Sequence, residues 1–284
     1  MSLKEQLQNG GTVCAPGVFD PFSARIAEGM GFNVLYMTGY GVNATLLGLP
    51  DAGFATYSEM VNRLRSICDA TDAVLIADGD TGFGGLANVE RVVKGYESAG
   101  GEAIQLEDQE FPKRCGHTKN RVVIPAEDMV KKIVVASEAR LSDDFLIVAR
   151  TDALSEHGID EAMRRADAYL RAGADILFVE SPESVEQMQR ICDRFKGTPL
   201  LANMVSGGAT PLLSDADLFG MGYQIVIHPV YLLGSALQGM KKAAMALRDS
   251  GEEQATATIS ELNDLLDFQH IWQLDERFKD SPTD

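Results

Sequence analysis

The sequence predicts an α/β fold of the (β/α)8 TIM-barrel class, and three observations predict it. Short apolar runs rich in β-formers recur along the 284 residues, segments of helical periodicity separate them, and the two alternate through eight units. Runs such as Phe145-Leu146-Ile147-Val148-Ala149 are apolar throughout, which suits strands covered on both faces in a parallel sheet. An open doubly wound sheet is the competing fold. It would place a Gly-x-Gly-x-x-Gly turn after the first strand, and Ala15-Pro16-Gly17-Val18-Phe19-Asp20 is not one.

Strands are expected over residues 12–17, 33–38, 73–78, 102–107, 145–150, 175–180, 199–204 and 224–228. Amphipathic helices are expected over 20–30, 57–69, 89–99, 126–139, 159–171 and 185–195, several ended by a glycine stop such as Ala172-Gly173-Ala174 or Ala99-Gly100-Gly101. After the eighth strand a helix is expected over 233–248, then a polar break at Asp249-Ser250-Gly251-Glu252, then a helical segment over 259–274. That last segment carries Leu262, Leu265, Leu266, Phe268, Ile271 and Trp272, too much apolar surface for a free tail. It is expected to pack on the barrel or on another subunit. The chain thus divides into a barrel (1–232) and a C-terminal helical extension of the same domain (233–284).

Acidic residues outnumber basic ones, 42 to 25, for a formal charge of −17. Nucleic acid and anionic membrane are therefore excluded as partners, and an anionic substrate needs local cations or a metal. No apolar run approaches the roughly 20 residues that span a bilayer. The start, Met1-Ser2-Leu3-Lys4-Glu5, has no signal-peptide core, so a cytoplasmic location is expected. The four cysteines are widely spaced without a Cys-x-x-Cys pair, which reads as free thiols in a reducing compartment. Cys68 and Cys192 fall in helical patterns as packing residues, and Cys14 falls in the first apolar run. Cys115 differs, because Arg114 and His117 flank it and cations lower a thiol pKa.

In a barrel the C-terminal ends of the strands converge on one face, where chemistry sits. Those ends read Thr38-Gly39-Tyr40 (with Leu49-Pro50-Asp51 in the following loop), Asp78-Gly79-Asp80, Glu107-Asp108, Arg150-Thr151-Asp152, Glu180, Asn203 and His228. One such acid is as readily a helix cap. Several on one rim repel unless a cation neutralises them, and hard oxygen ligands favour Mg²⁺ or Mn²⁺ over Zn²⁺. A divalent metal is therefore expected on Asp78, with Asp51, Asp80 and Glu107 acting directly or through its waters. The glycines of Asp78-Gly79-Asp80-Thr81-Gly82 lack the Gly-Lys-Ser/Thr of a phosphate loop. Arg150 suits a bidentate clamp on a substrate carboxylate, with a buried ion pair to a rim acid as the alternative. His117 is equally readable as a loop residue packed over the site. His228, before Pro229, reads as structural, and nothing near His157 or His270 argues for chemistry.

Five motifs in this order, Gly48-Leu49-Pro50-Asp51, Asp78-Gly79-Asp80-Thr81-Gly82, Leu106-Glu107-Asp108-Gln109, Lys113-Arg114-Cys115-Gly116-His117 and Ala149-Arg150-Thr151-Asp152-Ala153, resemble the isocitrate lyase and phosphoenolpyruvate mutase superfamily over nearly the whole chain. The Cys-Gly-His loop resembles the lyase branch, since the phosphonomutases lack this cysteine. The resemblance implies a Mg²⁺-dependent enzyme (or Mn²⁺) in which a mobile loop closes over a small dicarboxylate or tricarboxylate and the C2–C3 bond of a 2-hydroxy diacid breaks. Cys115, His117 and Arg150 would form the catalytic set, with Cys115 protonating the enolate of the departing acid. Tyr36, Thr38, Gly39, Tyr40, Gly116, Arg150, Glu180 and Asn203 would meet the substrate. The family also implies a homotetramer with its C-terminal helix exchanged between subunits. Tyr40 resembles the branch acting on 2-alkylmalates, 2,3-dimethylmalate or oxaloacetate, and a tyrosine there is expected to shrink the pocket or cover one end, disfavouring the larger tricarboxylate. The alternatives are a 2-methylisocitrate lyase, an oxaloacetate hydrolase giving oxalate and acetate, and a phosphonomutase-type or non-catalytic dicarboxylate-binding barrel. A Schiff-base aldolase is disfavoured, because Lys113 lies in a loop beside Arg114.

Overall fold

The computed structural model describes residues 1–116, 118, 121–251 and 257–279. The chain forms two compact units, Met1–Leu233 and Gly234–Asp284.

The first unit holds eight strands: β1 (Val13–Val18), β2 (Val34–Met37), β3 (Val74–Asp78), β4 (Ala103–Glu107), β5 (Leu146–Thr151), β6 (Ile176–Val179), β7 (Leu201–Asn203) and β8 (Ile225–His228). All pair in parallel, in the order β6-β5-β4-β3-β2-β1-β8-β7. The ring closes between β6 and β7 through one parallel bridge, Leu177 to Leu200, where the Leu177 N–H donates to the Pro199 carbonyl at 3.0 Å. This is the predicted (β/α)8 barrel.

Its helices are α1 (Leu3–Gln8), α2 (Pro21–Gly29), the short α3 (Gly39–Val42) continuing into a π-helical turn (Asn43–Leu47), α4 (Tyr57–Cys68), α5 (Leu86–Ser98), α6 (Ala126–Ala139), α7 (Leu154–Arg171), α8 (Val185–Arg194) and α9 (Asp215–Met221). Strand periodicity sorts side chains into two apolar layers. Outward residues such as Leu35, Leu75, Ile104, Ile147 and Leu177 pack against the helices. Inward residues such as Val13, Val34, Ile76, Ala103, Val148, Ile176 and Ile225 fill the barrel, and Leu3 and Leu7 of α1 join this inner cluster.

Three elements were not expected. The helix α1 lies in a stretch whose polarity masks it, yet Ser2 and Glu5 form a capping box that marks its start. The helix α9 is short, with Ser214 as its N-cap. The turn over 39–47 sits in what reads as loop. The helix expected from residue 159 begins instead at Leu154, because Gly158 takes a left-handed φ of 80° that interrupts its pattern.

The second unit continues α10 (Tyr231–Ser250) and contains α11 (Ile259–Leu265) and α12 (Phe268–Phe278). The single segment expected over 259–274 is thus two helices, broken where Asp267 adopts a left-handed φ of 56°. No residue of α10, α11 or α12 is buried. Among the described residues, no helix is long and apolar enough to cross a membrane.

Candidate active site

The inward positions that are apolar low in the barrel turn polar at the strand ends. Along β4 the inward series runs Ala103, Gln105, Glu107; along β5, Leu146, Val148, Arg150; and β6 leads through Ile176 and Phe178 to Glu180. Thr38, Asp78, Glu107, Arg150, Glu180 and Asn203 line one cavity, with Tyr40, Asp51, Lys113, Arg114, Cys115 and Gly116 closing it from the loops. Its volume is about 50 Å³, room for a few waters.

Asp78 is held by three donors. Its Oδ2 accepts from the Gly39 N–H at 3.2 Å, and its Oδ1 accepts from the Asp80 N–H at 3.0 Å and from Gln105 Nε2 at 3.3 Å. Gln105 in turn accepts from the Tyr36 hydroxyl at 2.9 Å. Gly39 permits this approach, since a Cβ there would lie 2.6 Å from Asp78 Oδ2. Asp51 is reached by Asn43 Nδ2 at 3.4 Å. Burial pushes the carboxyls of Asp80 and Glu107 above their usual range, with Lys113 opposing at Asp80 and Arg150 and Lys113 opposing at Glu107. Glu107 Oε1 is buried without a hydrogen-bond partner.

This set fits a hard divalent cation. The donors are carboxylate oxygens, one of them orphaned, and Asp51, Asp78, Asp80, Glu107 and Glu180 outnumber Lys113, Arg114 and Arg150 around the cavity.

Arg150 does not wait with an open fork. Its Nε lies 2.8 Å from Asp152 Oδ2 and its Nη2 2.9 Å from Asp152 Oδ1, with Glu180 Oε2 at 3.1 Å and Glu107 Oε2 at 3.5 Å. Burial works against its charge, but Asp152, Glu180 and Glu107 hold its pKa well above the ordinary value. Asp152 also accepts from Arg121 Nη1 at 2.7 Å. The guanidinium sits over the Phe178 ring at 5.1 Å, so the apolar layer supports it from below. The ion-pair reading of Arg150 is therefore the one the geometry displays, with the guanidinium oriented by its neighbours.

The loop after β4 folds over this floor. The Cys115 N–H donates to the Asp51 carbonyl at 3.2 Å, and Gln109 bonds both the N–H and the C=O of Arg114 at 2.9 and 2.8 Å. The Ser181 hydroxyl donates to the Gly116 carbonyl at 3.1 Å, from a residue with a left-handed φ of 59°. Gly116 lies so close to the Arg150–Glu180 pair that an added Cβ would collide with Arg150 Nη2. Lys113 is fully buried, its Nζ 2.5 Å from Asp51 Oδ1 and 2.6 Å from Asp80 Oδ1. Burial opposes its charge, yet Asp80, Asp51, Glu107 and Asp78 hold its pKa well above the ordinary value.

Of the residues singled out from sequence, Tyr36, Thr38, Tyr40, Asp51, Asp78, Glu107, Cys115, Gly116, Arg150, Glu180 and Asn203 share this one cavity. Gly39 and Asp80 stand just behind it on Asp78. Tyr36 is fully buried with its hydroxyl committed to Gln105, so it supports Asp78 through that amide. His117 lies outside the described residues. His228 pairs with Asp215 at 3.0 Å and does not line the cavity. No disulfide joins the four cysteines. Sequence reasoning missed Gln105, Ser181 and the burial of Lys113. Gln105 alone carried a signal, a polar residue in the middle of an otherwise apolar strand.

Residues 3–248 match the family model described as phosphoenolpyruvate phosphomutase. The chain is 45% identical over 280 residues to the 2,3-dimethylmalate lyase of Eubacterium barkeri, covering 97% of this chain and 96% of that protein. It is 42% identical over 252 residues to a 2-methylisocitrate lyase of Aeropyrum pernix, covering 89% and 80%. Among solved structures, a 2,3-dimethylmalate lyase superposes with a TM-score of 0.93 at 35% identity, covering 99% of this chain and 97% of that one. A phosphonopyruvate hydrolase crystallised with oxalate and Mg²⁺ superposes with a TM-score of 0.88 at 29% identity, covering 97% of each. With matches of this extent over the barrel and its rim, the chain belongs to the phosphoenolpyruvate mutase/isocitrate lyase superfamily.

Proposed function

We propose that this protein is a divalent-metal-dependent carbon–carbon lyase that cleaves the C2–C3 bond of a 2-alkylmalate-type 2-hydroxy diacid, giving a 2-oxo acid and a carboxylic acid. The observation that carries the reading is the presence of Cys115 in the same cavity as Asp78, Glu107 and Arg150. A proton donor, a carboxylate set and a fixed cation then face one small volume. The similarity to 2,3-dimethylmalate lyase supports the substrate class.

Asp78 would hold Mg²⁺ or Mn²⁺, with Asp51, Asp80 and Glu107 reaching it directly or through water. When bound, the metal supplies electrostatic stabilisation to the substrate oxygens that gain charge as the bond breaks. Arg150, held by Asp152 and Glu180, orients a substrate carboxylate. The Gly39 and Gly116 regions bring backbone close to the ligand. The C2 hydroxyl would give up its proton to one of the rim carboxylates as the C2–C3 bond breaks, Cys115 gives its proton to the carbon of the departing acid, and the loop excludes water from that carbanion. Tyr40, 40% exposed at the mouth, narrows the entrance against a third carboxylate.

The apolar surface of the second unit, with Ile271 and Trp272 about half exposed, supports assembly as a homotetramer through exchanged C-terminal helices. Four cysteines joined by no disulfide and the acidic charge fit a cytoplasmic enzyme.

A second reading, 2-methylisocitrate lyase, draws support from the Aeropyrum pernix relative. Assaying 2,3-dimethylmalate, 2-methylisocitrate and oxaloacetate side by side with Mg²⁺ and identified products tests the proposal. Turnover of the tricarboxylate alone would replace it with the second reading, and oxalate plus acetate from oxaloacetate alone would make the enzyme a hydrolase.

A further inference from the structure

Lys113 raises a question that the lyase reading does not answer. Its side chain is 3% exposed, and a lysine is buried only when its charge is paired. The pairing partners are Asp51 Oδ1 at 2.5 Å and Asp80 Oδ1 at 2.6 Å, contributed by two different loops. These are the carboxylates that the proposed function assigns to the metal site. An ammonium at such distances occupies Oδ1 of each carboxylate, and a divalent ion drawn to the same oxygens would be repelled strongly by it in a buried site. The lysine is tethered two residues before Cys115, so what it contacts also fixes where the thiol stands.

We infer that the Lys113 ammonium and the divalent metal are alternative occupants of the Asp51–Asp80 carboxylates. Without metal the lysine offsets part of the charge of the two carboxylates; metal entry would displace the ammonium towards the cavity, where it would face the anionic substrate. The inference rests on the metal reading above and adds an exchange step to it. No bond is made or broken: one cation leaves the carboxylates as another arrives.

Two measurements on the full chain without substrate test the exchange. In the first, Mn²⁺ is titrated calorimetrically into the parent, Lys113→Met, Lys113→Arg and Arg114→Gln. Competition predicts that Lys113→Met binds Mn²⁺ about tenfold more tightly, that Lys113→Arg stays near the parent, and that Arg114→Gln, which removes a nearby charge without vacating the two carboxylates, changes affinity by less than about threefold. In the second, which needs no variant, amine acylation of the parent is followed by mass spectrometry with and without Mn²⁺. Lys113 should be protected without metal and label several-fold faster with it. Unchanged or weaker Mn²⁺ binding by Lys113→Met, equal tightening by Arg114→Gln, or Lys113 labelling indifferent to Mn²⁺ would overturn the exchange while leaving the metal site intact. Absence of Mn²⁺ binding in every form would overturn the metal site itself, and the exchange with it.

Discussion

The lower and upper halves of the barrel interior are built from the same strands by the same two-residue alternation, and they do opposite things. Below, Val13, Val34, Ile76, Ala103, Val148, Ile176 and Ile225 pack with Leu3 and Leu7 into a dry apolar plug. One inward step above Ile76 and Val148 stand Asp78 and Arg150, Gln105 and then Glu107 follow Ala103, and the loops add Asp51, Asp80 and Lys113. Apolar burial stabilises at about 25 cal/mol per Å², whereas each buried charge costs several kcal/mol before its partner offsets the loss. The lower half therefore supplies stability that the upper half uses to keep charges close together in little water. The contrast predicts that substitutions in the two halves separate activity from stability.

The largest expected effect breaks the upper half. Arg150→Met leaves Asp152, Glu180 and Glu107 without their shared cation, and should lower stability by about 3–5 kcal/mol in denaturant titration while abolishing turnover. Cys115→Ala should cost about 10²–10⁴-fold in kcat with little change in Tm, because only the proposed proton donor is lost. In the lower half, Ile76→Ala should cost about 2–5 kcal/mol of stability yet keep kcat/KM of the folded enzyme within a few-fold. An Ile76→Ala enzyme of normal stability, or one inactive while folded, would erase the contrast.

The smallest effect lies outside both halves, at Glu161 on α7. Hydrogen bonds from Arg164 foremost, and then from Arg165, hold its carboxyl down at about 2. A depressed folded-state value stabilises above the unfolded value and is lost as pH falls from there towards 2. Glu161→Gln should therefore reduce stability at neutral pH by less than about 1 kcal/mol, with the difference from the parent vanishing in acid.

The sequence made the fold legible because alternation, glycine stops and apolar runs are local signals, and β3, β4 and β5 lie within a residue or so of their expected bounds. It also exposed the floor of the site, since parity fixes that Asp78, Glu107 and Arg150 share the inward face. What stayed hidden depends on contacts between loops. Lys113 to Asp51 and Asp80, Arg121 to Asp152 and Ser181 to Gly116 each join segments whose proximity exists only after the barrel closes. Arg150 shows the same gap: its position was readable, but not that Asp152, two residues on, occupies its fork. Helix α1 escaped for a different reason, because its six residues are mostly polar and too few for periodicity to show.

The central claim is that the charged rim uses a divalent metal to break a carbon–carbon bond. Following products from 2,3-dimethylmalate before and after chelation tests it most directly. Pyruvate and propionate are expected in equal amounts, lost with EDTA and restored by Mg²⁺ or Mn²⁺. Pyruvate formation that survives complete chelation, or acid release without a 2-oxo acid, would contradict it.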